Sequence, residues 1–131
     1  MKTLIVEDDF ISRKIMKELL IPLGETDIAI DGSEAVQAFR LAHDERHPYD
    51  LICMDIMMPN MDGHEALAQI REYEKELGIG AADEVKVIMT TALDDPKNVV
   101  EAFYRGGATS YLVKPITRQK LMKEIRGHGL L

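Results

Sequence analysis

Two apolar segments of strand length end in acidic residues, and these acids are the residues best suited to chemistry. Leu51–Met54 is a continuous apolar run that ends in Asp55, and Leu4–Val6 runs directly into the acidic triplet 7–9. In open α/β sheets, ligands bind beyond the carboxyl ends of the parallel strands. We therefore expect these acids to share one edge of a sheet. Carboxylates at short range repel one another and raise each other's pKa values, so the pattern indicates a site for a cation.

A hard divalent cation suits this set of groups. Mg²⁺ and Mn²⁺ take oxygen ligands, and Mg²⁺ commonly binds one or two carboxylates together with a phosphate oxygen. Thr90, Thr91 and Lys114 follow two further apolar segments, so hydroxyl groups and an ammonium group would reach the same edge. Such groups can hold a phosphoryl group, and Asp55 could accept it as an acyl phosphate. The first strand is followed by neither a P-loop nor a Gly-rich dinucleotide motif, so we do not expect nucleotide binding.

The elements that must position these residues alternate along the chain. Strands are predicted at Thr3–Val6, Thr26–Ile30, Leu51–Met54, Val85–Met89 and Ser110–Val113. Helical spacing follows each strand, and the capping residues are Asp31, Asp62, Asp95 and Thr117. The first of these helices, Phe10–Leu23, takes its spacing from Ile11, Ile15, Leu19 and Leu20. Five strands that alternate with five helices predict an α/β fold with a doubly wound parallel sheet, covered on both faces.

Composition limits the classes of function. The 131 residues carry 16 basic and 23 acidic side chains, a net charge of -7 that disfavours sequence-independent binding of nucleic acid. No apolar run approaches the roughly 18–20 residues of a membrane span, and no signal-peptide pattern is present, so we expect a cytoplasmic protein. Cys53 lies within an apolar strand, which predicts a buried and inert thiol. The histidines His43, His47, His64 and His128 share no metal-ligand spacing and are expected at the surface.

Five short motifs follow one another in the order and spacing of a known family. They are Val6-Glu-Asp-Asp9, Met54-Asp55, Met58-Pro-Asn-Met-Asp-Gly63, Thr90-Thr-Ala92, and Gly107-Ala108 leading to Tyr111-Leu-Val-Lys-Pro115. Through these motifs the chain, from Leu4 to about Arg126, resembles the receiver domain of two-component response regulators. It most resembles the stand-alone, chemotaxis-type (CheY-like) members. The resemblance implies a flavodoxin-like (βα)5 fold with strand order 2-1-3-4-5, and we expect residues 1–131 to form a single receiver domain without an output domain.

The resemblance also implies roles for the acids. Asp55 would be the phosphoacceptor, which takes a phosphoryl group from a sensor histidine kinase or from acetyl phosphate. Asp9 would bind Mg²⁺ directly and Asp8 through a water, with the backbone carbonyl of Met57 as a further ligand. Glu7 is then expected to be a solvated, peripheral acid.

The remaining matched residues would sense the phosphoryl group. Lys114 would pair with its oxygens, Thr91 would supply the switch hydroxyl, and Tyr111 would change rotamer when Thr91 moves. The family has a cis bond before the matched proline, Pro115, and only X–Pro bonds make the cis form easy to maintain. Val100 and Tyr104 on the fourth predicted helix, together with Tyr111, would form an apolar partner surface on the face that the family uses for output.

Several outcomes stay open from the sequence. The protein could switch the binding of an effector protein, or relay the phosphoryl group to a histidine phosphotransfer protein. It could be a monomer or a phosphorylation-dependent homodimer. A degenerate receiver that binds partners without phosphorylation, and an Mg²⁺-dependent phosphatase, are the rival classes. The phosphatase would need an Asp-x-Asp pair, which Asp55-Ile-Met57 lacks.

The loop beyond the phosphoacceptor is unusually rich in methionine. Met57, Met58 and Met61 are predicted to leave an apolar lip around the site. Met57 and Leu93 also stand at positions where the family frequently has polar side chains that position the hydrolytic water. We hypothesise a long-lived phosphoryl group, whose loss would be faster in a Met57→Asn, Leu93→Glu variant.

Overall fold

A five-stranded parallel sheet forms the centre of the molecule in a computed structural model, which describes residues 1–92 and 107–131. The strands are β1 (Lys2–Val6), β2 (Glu25–Ala29), β3 (Leu51–Asp55), β4 (Lys86–Thr91) and β5 (Ser110–Val113). They lie in the order β2-β1-β3-β4-β5, and each neighbouring pair is parallel. The sheet and strand order expected from the sequence are confirmed.

Helices cover both faces of this sheet. They are α1 (Phe10–Leu20), α2 (Gly32–Asp44), α3 (Gly63–Glu76) and the C-terminal helix (Arg118–Gly127), with short 3-10 turns at Ile21–Leu23 and Ala81–Asp83. The first helix ends three residues earlier than predicted, because Pro22 has no N–H with which to continue the helical ladder. The helix predicted to begin after Asp95, which includes Val100 and Tyr104, lies outside the described residues.

Side chains cap the helices where the sequence predicted them. Asp31, Asp62 and Thr117 each accept a hydrogen bond from the backbone N–H three residues further on, at 2.9, 2.9 and 3.2 Å. At α2 the side chain of Glu34 also accepts a hydrogen bond, at 2.9 Å, from the N–H of Ile30, the residue before the cap. These caps fix where each helix begins, and therefore the length of the loops at the carboxyl edge of the sheet.

Alternation along the strands builds an apolar layer on each side of the sheet. On β1, Leu4 and Val6 face the layer that contains Phe39, whereas Ile5 faces the layer that contains Met16 and the C-terminal helix. Burial on both faces explains why the strands read as continuous apolar runs. Among the described residues, no helix is long and apolar enough to cross a membrane.

The apolar residues of α1 that pack against the sheet are not all those expected from the spacing. Met16 and Leu20 are buried, whereas Ile11 and Ile15 are 66% and 47% exposed. The helix itself is confirmed, but two of the apolar residues that predicted it face outward.

Candidate functional site

Three carboxylates meet at the carboxyl ends of β1 and β3. One oxygen from each of Glu7, Asp8 and Asp55 lies within 4.8 Å of the others. Glu7 and Asp55 are 5% and 6% exposed, and Asp8 is exposed. A buried pair of acids with a third at the opening offers oxygen ligands for one hard cation. An acidic cluster therefore lies at the edge of the sheet where the sequence predicted a cation site.

Lys114 supplies the positive charge at this edge. Its Nζ lies 2.8 Å from Glu7 Oε1 and 3.5 Å from Asp55 Oδ2. The backbone N–H of Lys114 donates to the carbonyl of Thr91 at 2.8 Å, which fixes the end of β5 against β4. The Lys114–Pro115 peptide bond is cis, as the resemblance implied. Lys114 therefore contacts the predicted phosphoacceptor from the end of β5.

Burial and neighbouring charges shift the pKa values of Glu7 and Lys114. Burial raises the pKa of Glu7; the hydrogen bond from Lys114 opposes this rise, and the negative charge of Asp55 adds to it. Burial lowers the pKa of Lys114, but the hydrogen bond to Glu7 and the charge of Asp55 outweigh it, so the net pKa is raised. Lys114 therefore keeps its charge at neutral pH.

Two predictions about the acidic triplet need correction. Glu7 is not a solvated acid: it is buried and forms the shortest contact to Lys114. Asp9 does not join the carboxylate group. Its Oδ2 accepts a hydrogen bond from the N–H of Ser12 at 2.8 Å and caps α1, and hydrogen bonds from Ser12 lower the pKa of Asp9. The structure thus shifts the acid pair that accompanies Asp55 from residues 8–9 to residues 7–8.

The predicted switch residues lie on neighbouring strands. Thr91 is 1% exposed and its hydroxyl donates to the carbonyl of Ala92 at 3.3 Å. Thr90 stands directly opposite Asp55 in the strand register, and its carbonyl accepts from the N–H of Ile56. Tyr111 lies on β5, partly exposed, and packs against the core layer of Phe39. Their placement is compatible with the expected roles.

The loop after Asp55 is held close to the strand that carries it. The N–H of Gly63 donates to the carbonyl of Ile56 at 2.9 Å. A Cβ atom at Gly63 would lie 2.5 Å from the carbonyl oxygen of Asp55, so the approach requires glycine. Of the methionines expected to form an apolar lip, Met57 is 60% exposed. Met58 and Met61 instead pack against the core, so the lip is smaller than predicted.

The positions of the cysteine and the histidines can also be compared with those expected from the sequence. Cys53 is buried, and burial raises the pKa of its thiol to about 12, as expected for an inert cysteine. Of the four histidines, His47 is exposed and the others are partly buried. His43 lies edge-on to Phe39 with ring centroids 4.8 Å apart. The surface position expected of the histidines holds fully for His47 alone.

Comparison with known proteins assigns the family. Residues 3–126 match the response regulator receiver domain family. The two-component response regulator ORR41 of Oryza sativa subsp. japonica is 33% identical over 120 residues, which cover 92% of this chain and 87% of that protein. The chain also matches probable histidine kinase 2 of Oryza sativa subsp. indica, at 35% identity over 97% of its own length, but it spans only 13% of that kinase. The chain belongs to the response regulator receiver domain family.

Solved structures of receiver domains agree with this assignment. The receiver domain of Saccharomyces cerevisiae Ssk1, in a co-crystal with the histidine phosphotransfer protein Ypd1, has a TM-score of 0.84 and 31% identity, covering 98% of this chain and 88% of that chain. The receiver domain of the sensor histidine kinase PA1611 of Pseudomonas aeruginosa has a TM-score of 0.77 and 29% identity, covering 98% and 97%. That structure contains a magnesium ion coordinated in the active site cleft. The flavodoxin-like receiver fold is therefore shown.

Proposed function

We propose that this protein is an Mg²⁺-dependent phosphoacceptor of two-component signal transduction, with Asp55 as the residue that is phosphorylated. The observation that carries this proposal is the convergence of Glu7, Asp8, Asp55 and Lys114 at one edge of the sheet. The carboxylate of Asp55 attacks the phosphorus of the donor, and the bond from phosphorus to the donor's leaving group breaks. An acyl phosphate forms on Asp55, and the leaving group departs with its electron pair.

The donor set fits a divalent cation. Three carboxylates face one ammonium group, an excess of two negative charges when all are ionised. We assign Asp8 and Asp55 as direct ligands with the backbone carbonyl of Met57, and Glu7 as an outer acid that acts through water, with Mn²⁺ as an alternative metal. When bound, Mg²⁺ neutralises charge on the transferred phosphoryl group. The assignment replaces Asp9, which caps α1.

The remaining residues of the site hold and read the phosphoryl group. Lys114 Nζ, 3.5 Å from Asp55, donates to a phosphoryl oxygen. Phosphorylation adds about -1.5 to -2 of charge, which gives the Thr91 hydroxyl a stronger acceptor than the carbonyl of Ala92. In this proposal Thr91 turns toward the phosphoryl group and Tyr111 turns inward, so the surface around β5 changes.

The proposed partners are a sensor histidine kinase as donor and, downstream, either an effector protein or a histidine phosphotransfer protein. The similarity to a receiver domain that crystallised with Ypd1 supports the relay. Tyr111 is partly exposed on β5, so a change of its rotamer would alter a surface that an effector protein could bind. We propose that the protein acts in the cytoplasm, as a monomer or a phosphorylation-dependent homodimer. Transfer of labelled phosphoryl from the protein to a purified histidine phosphotransfer domain would favour the relay over the switch.

Intact mass after incubation with acetyl phosphate tests the chemistry directly. The parent protein should gain one phosphoryl mass with Mg²⁺ and none with EDTA, and Asp55→Asn should gain none. Asp62→Asn is the matched control, because Asp62 lies in the same loop but serves as the cap of α3, a role that asparagine can fill. Asp62→Asn should be phosphorylated like the parent. No mass gain in any variant would refute the proposal and favour a module that binds partners without phosphorylation.

A further inference from the structure

A cavity of about 400 Å³ lies beside the predicted phosphoacceptor, between α1 and the segment that follows β5. Its apolar lining comes from Ile5, Ile15, Met16, Cys53, Pro115 and Ile116. Pockets for small molecules have volumes of about 300–1,000 Å³ and are lined mainly by apolar side chains. A cavity of about 150 Å³ can hold a benzene ring, so this cavity can hold an apolar body of two fused rings.

One end of the cavity is polar, and its groups limit the kind of ligand that fits. The polar residues of the lining are Glu7, Ser12, Thr90 and Lys114. Both oxygens of Glu7 already accept hydrogen bonds, from Lys114 at 2.8 Å and from the N–H of Asp9 at 3.3 Å. An ammonium group has three N–H donors, and those of Lys114 face Glu7 and Asp55 with one to spare. Lys114 can therefore donate one further hydrogen bond to a ligand, beside the hydroxyl groups of Ser12 and Thr90.

The charges at this end disfavour an ionic group in contact with Lys114. A negative group that approaches Lys114 also approaches the carboxylates of Glu7 and Asp55, 2.8 and 3.5 Å from the ammonium nitrogen. A positive group cannot accept a hydrogen bond from Lys114, and the carboxylates that attract a cation include Asp8 and Asp55, which do not line the cavity. A neutral oxygen acceptor, such as a hydroxyl or a carbonyl, meets neither obstacle.

We propose that this cavity binds a neutral, amphipathic small molecule with a bicyclic-sized apolar body and one oxygen acceptor directed at Lys114. Lys114 is also the residue that would hold the phosphoryl group on Asp55, so the ligand and the phosphoryl group compete for it. Binding therefore slows the phosphorylation of Asp55, and phosphorylation of Asp55 weakens binding of the ligand. The binding half stands independently, whereas the coupling half rests on the proposed phosphoacceptor function.

Binding is tested first, on the unphosphorylated protein and without any phosphoryl donor. The probe is 2-naphthalenemethanol, titrated against ¹⁵N-labelled protein and followed by amide NMR. Saturable shifts are expected at Ile5, Cys53 and Ile116. Ile15→Glu, which places a charge on the wall of the cavity, should weaken binding at least tenfold. The matched control is Ile11→Glu, one turn earlier on α1, 66% exposed and outside the lining, which should bind within twofold of the parent.

Two results would overturn the binding site. One is the lack of saturable shifts up to the solubility limit of the probe; the other is equal binding by the Ile15→Glu and Ile11→Glu variants. Because Ile15 is 47% exposed, both variants should fold, and circular dichroism establishes this before the titrations. The anionic analogue 2-naphthoate should bind at least tenfold more weakly than the alcohol. Tighter binding of the naphthoate would overturn the inference that the acceptor is neutral.

Coupling is tested by the rate of phosphorylation with acetyl phosphate and Mg²⁺. A probe concentration ten times the dissociation constant should slow the parent at least threefold and leave Ile15→Glu unchanged. An unchanged rate in the parent with the probe bound would overturn the coupling. No phosphorylation without the probe would be a failure of the proposed function instead, and the NMR titration would still decide whether the cavity binds the alcohol.

Discussion

The buried ion pair between Arg71 and Glu74 on α3 should contribute strongly to stability. Replacement of Glu74 by alanine is the perturbation that tests it. Glu74 is 2% exposed at its side chain, and its carboxylate bridges the guanidinium of Arg71, at 2.6 Å, and the backbone N–H of Val85, at 2.7 Å. Arg71 also donates to the carbonyl of Gly107, at 2.9 and 3.1 Å. This network joins α3 to the residues that lead into β4 and β5.

The magnitude follows from what each partner loses. A buried N–H left without an acceptor costs about 1–3 kcal/mol, and unpairing a fully buried charge costs about 3–5 kcal/mol. Arg71 is 15% exposed and keeps Glu84 at 3.2 Å and two backbone carbonyls, so only part of the second figure applies. We expect Glu74→Ala to lower the free energy of unfolding by about 3 kcal/mol, a large share of the about 5–15 kcal/mol typical of a domain.

Urea unfolding followed by circular dichroism measures this loss. With a slope of about 2 kcal/mol per molar urea, the midpoint should fall by about 1.5 M. Glu72→Ala is the control, since Glu72 is an exposed acid on the same helix, and its effect should stay within about 0.5 kcal/mol. If the two variants unfold at the same urea concentration, the argument from burial and bridging is refuted.

Four further predictions concern the site and its surroundings. Glu7→Gln should weaken Mg²⁺ binding about 10–100-fold, as removal of an outer-shell group does; calorimetric titration measures it, and an unchanged affinity would remove Glu7 from the metal site. Met57→Asn should speed loss of the phosphoryl group, because Met57, two residues after Asp55, is 60% exposed and its side chain cannot orient water. The half-life of the phosphorylated protein, followed by intact mass, is the measurement. Equal half-lives for the variant and the parent would contradict the hypothesis. Gly63→Ala should lower the free energy of unfolding by about 1–3 kcal/mol through overpacking, because the new Cβ atom would meet the carbonyl of Asp55. Gly80→Ala is the control, since a Cβ atom at Gly80 has open space around it. Equal urea midpoints for the two variants would contradict this prediction. Hydrogen bonds from the Glu34 backbone and Asn60 hold the pKa of Asp31 below its usual 3.8. The contribution of Asp31 to stability is therefore present above pH 3.8 and is lost as the pH falls through the lowered pKa. The parent should lose stability relative to Asp31→Asn over that pH window, and a pH-independent difference in stability would exclude this titration.

The fold could be predicted because its local signals agree with one another. Apolar runs of strand length, side-chain caps and short loops each pointed to the same alternating order, and the strand pairing bears this out. Helix ends were less predictable. The 3-10 turn at Ile21–Leu23 continues the apolar spacing of α1, and the prediction followed that spacing although Pro22 was a signal for an earlier helix end.

The sequence predicted acids at this edge of the sheet, but it did not predict which acids of the first triplet lie beside Asp55. Three consecutive acids follow β1, and which of them face Asp55 depends on the residue at which α1 begins. Asp9 precedes the first helical residue, Phe10, and caps α1 just as Asp31 caps α2. The same capping argument, applied to residue 9, would have left Glu7 and Asp8 for the site.

The orientation of α1 lay beyond the sequence for a different reason. Ile11, Ile15, Met16 and Leu20 all suit an apolar face, and packing in one cluster with the sheet and the C-terminal helix selects Met16 and Leu20. The cavity beside Ile15 is a product of that choice. It could not be predicted, because it depends on how far α1 stands from the segment after β5.

The carboxylates that the proposed cation site requires also lower the stability of the fold when no cation is bound. Without a cation, the carboxylates of Glu7, Asp8 and Asp55 repel across a few ångströms with one ammonium group to offset them. A lineage selected for heat resistance alone would therefore lose these acids early, since a neutral isostere removes the repulsion. In a lineage that keeps them, the melting temperature becomes a gauge of occupancy, because any cation that binds the folded site stabilises it in proportion to the logarithm of its concentration.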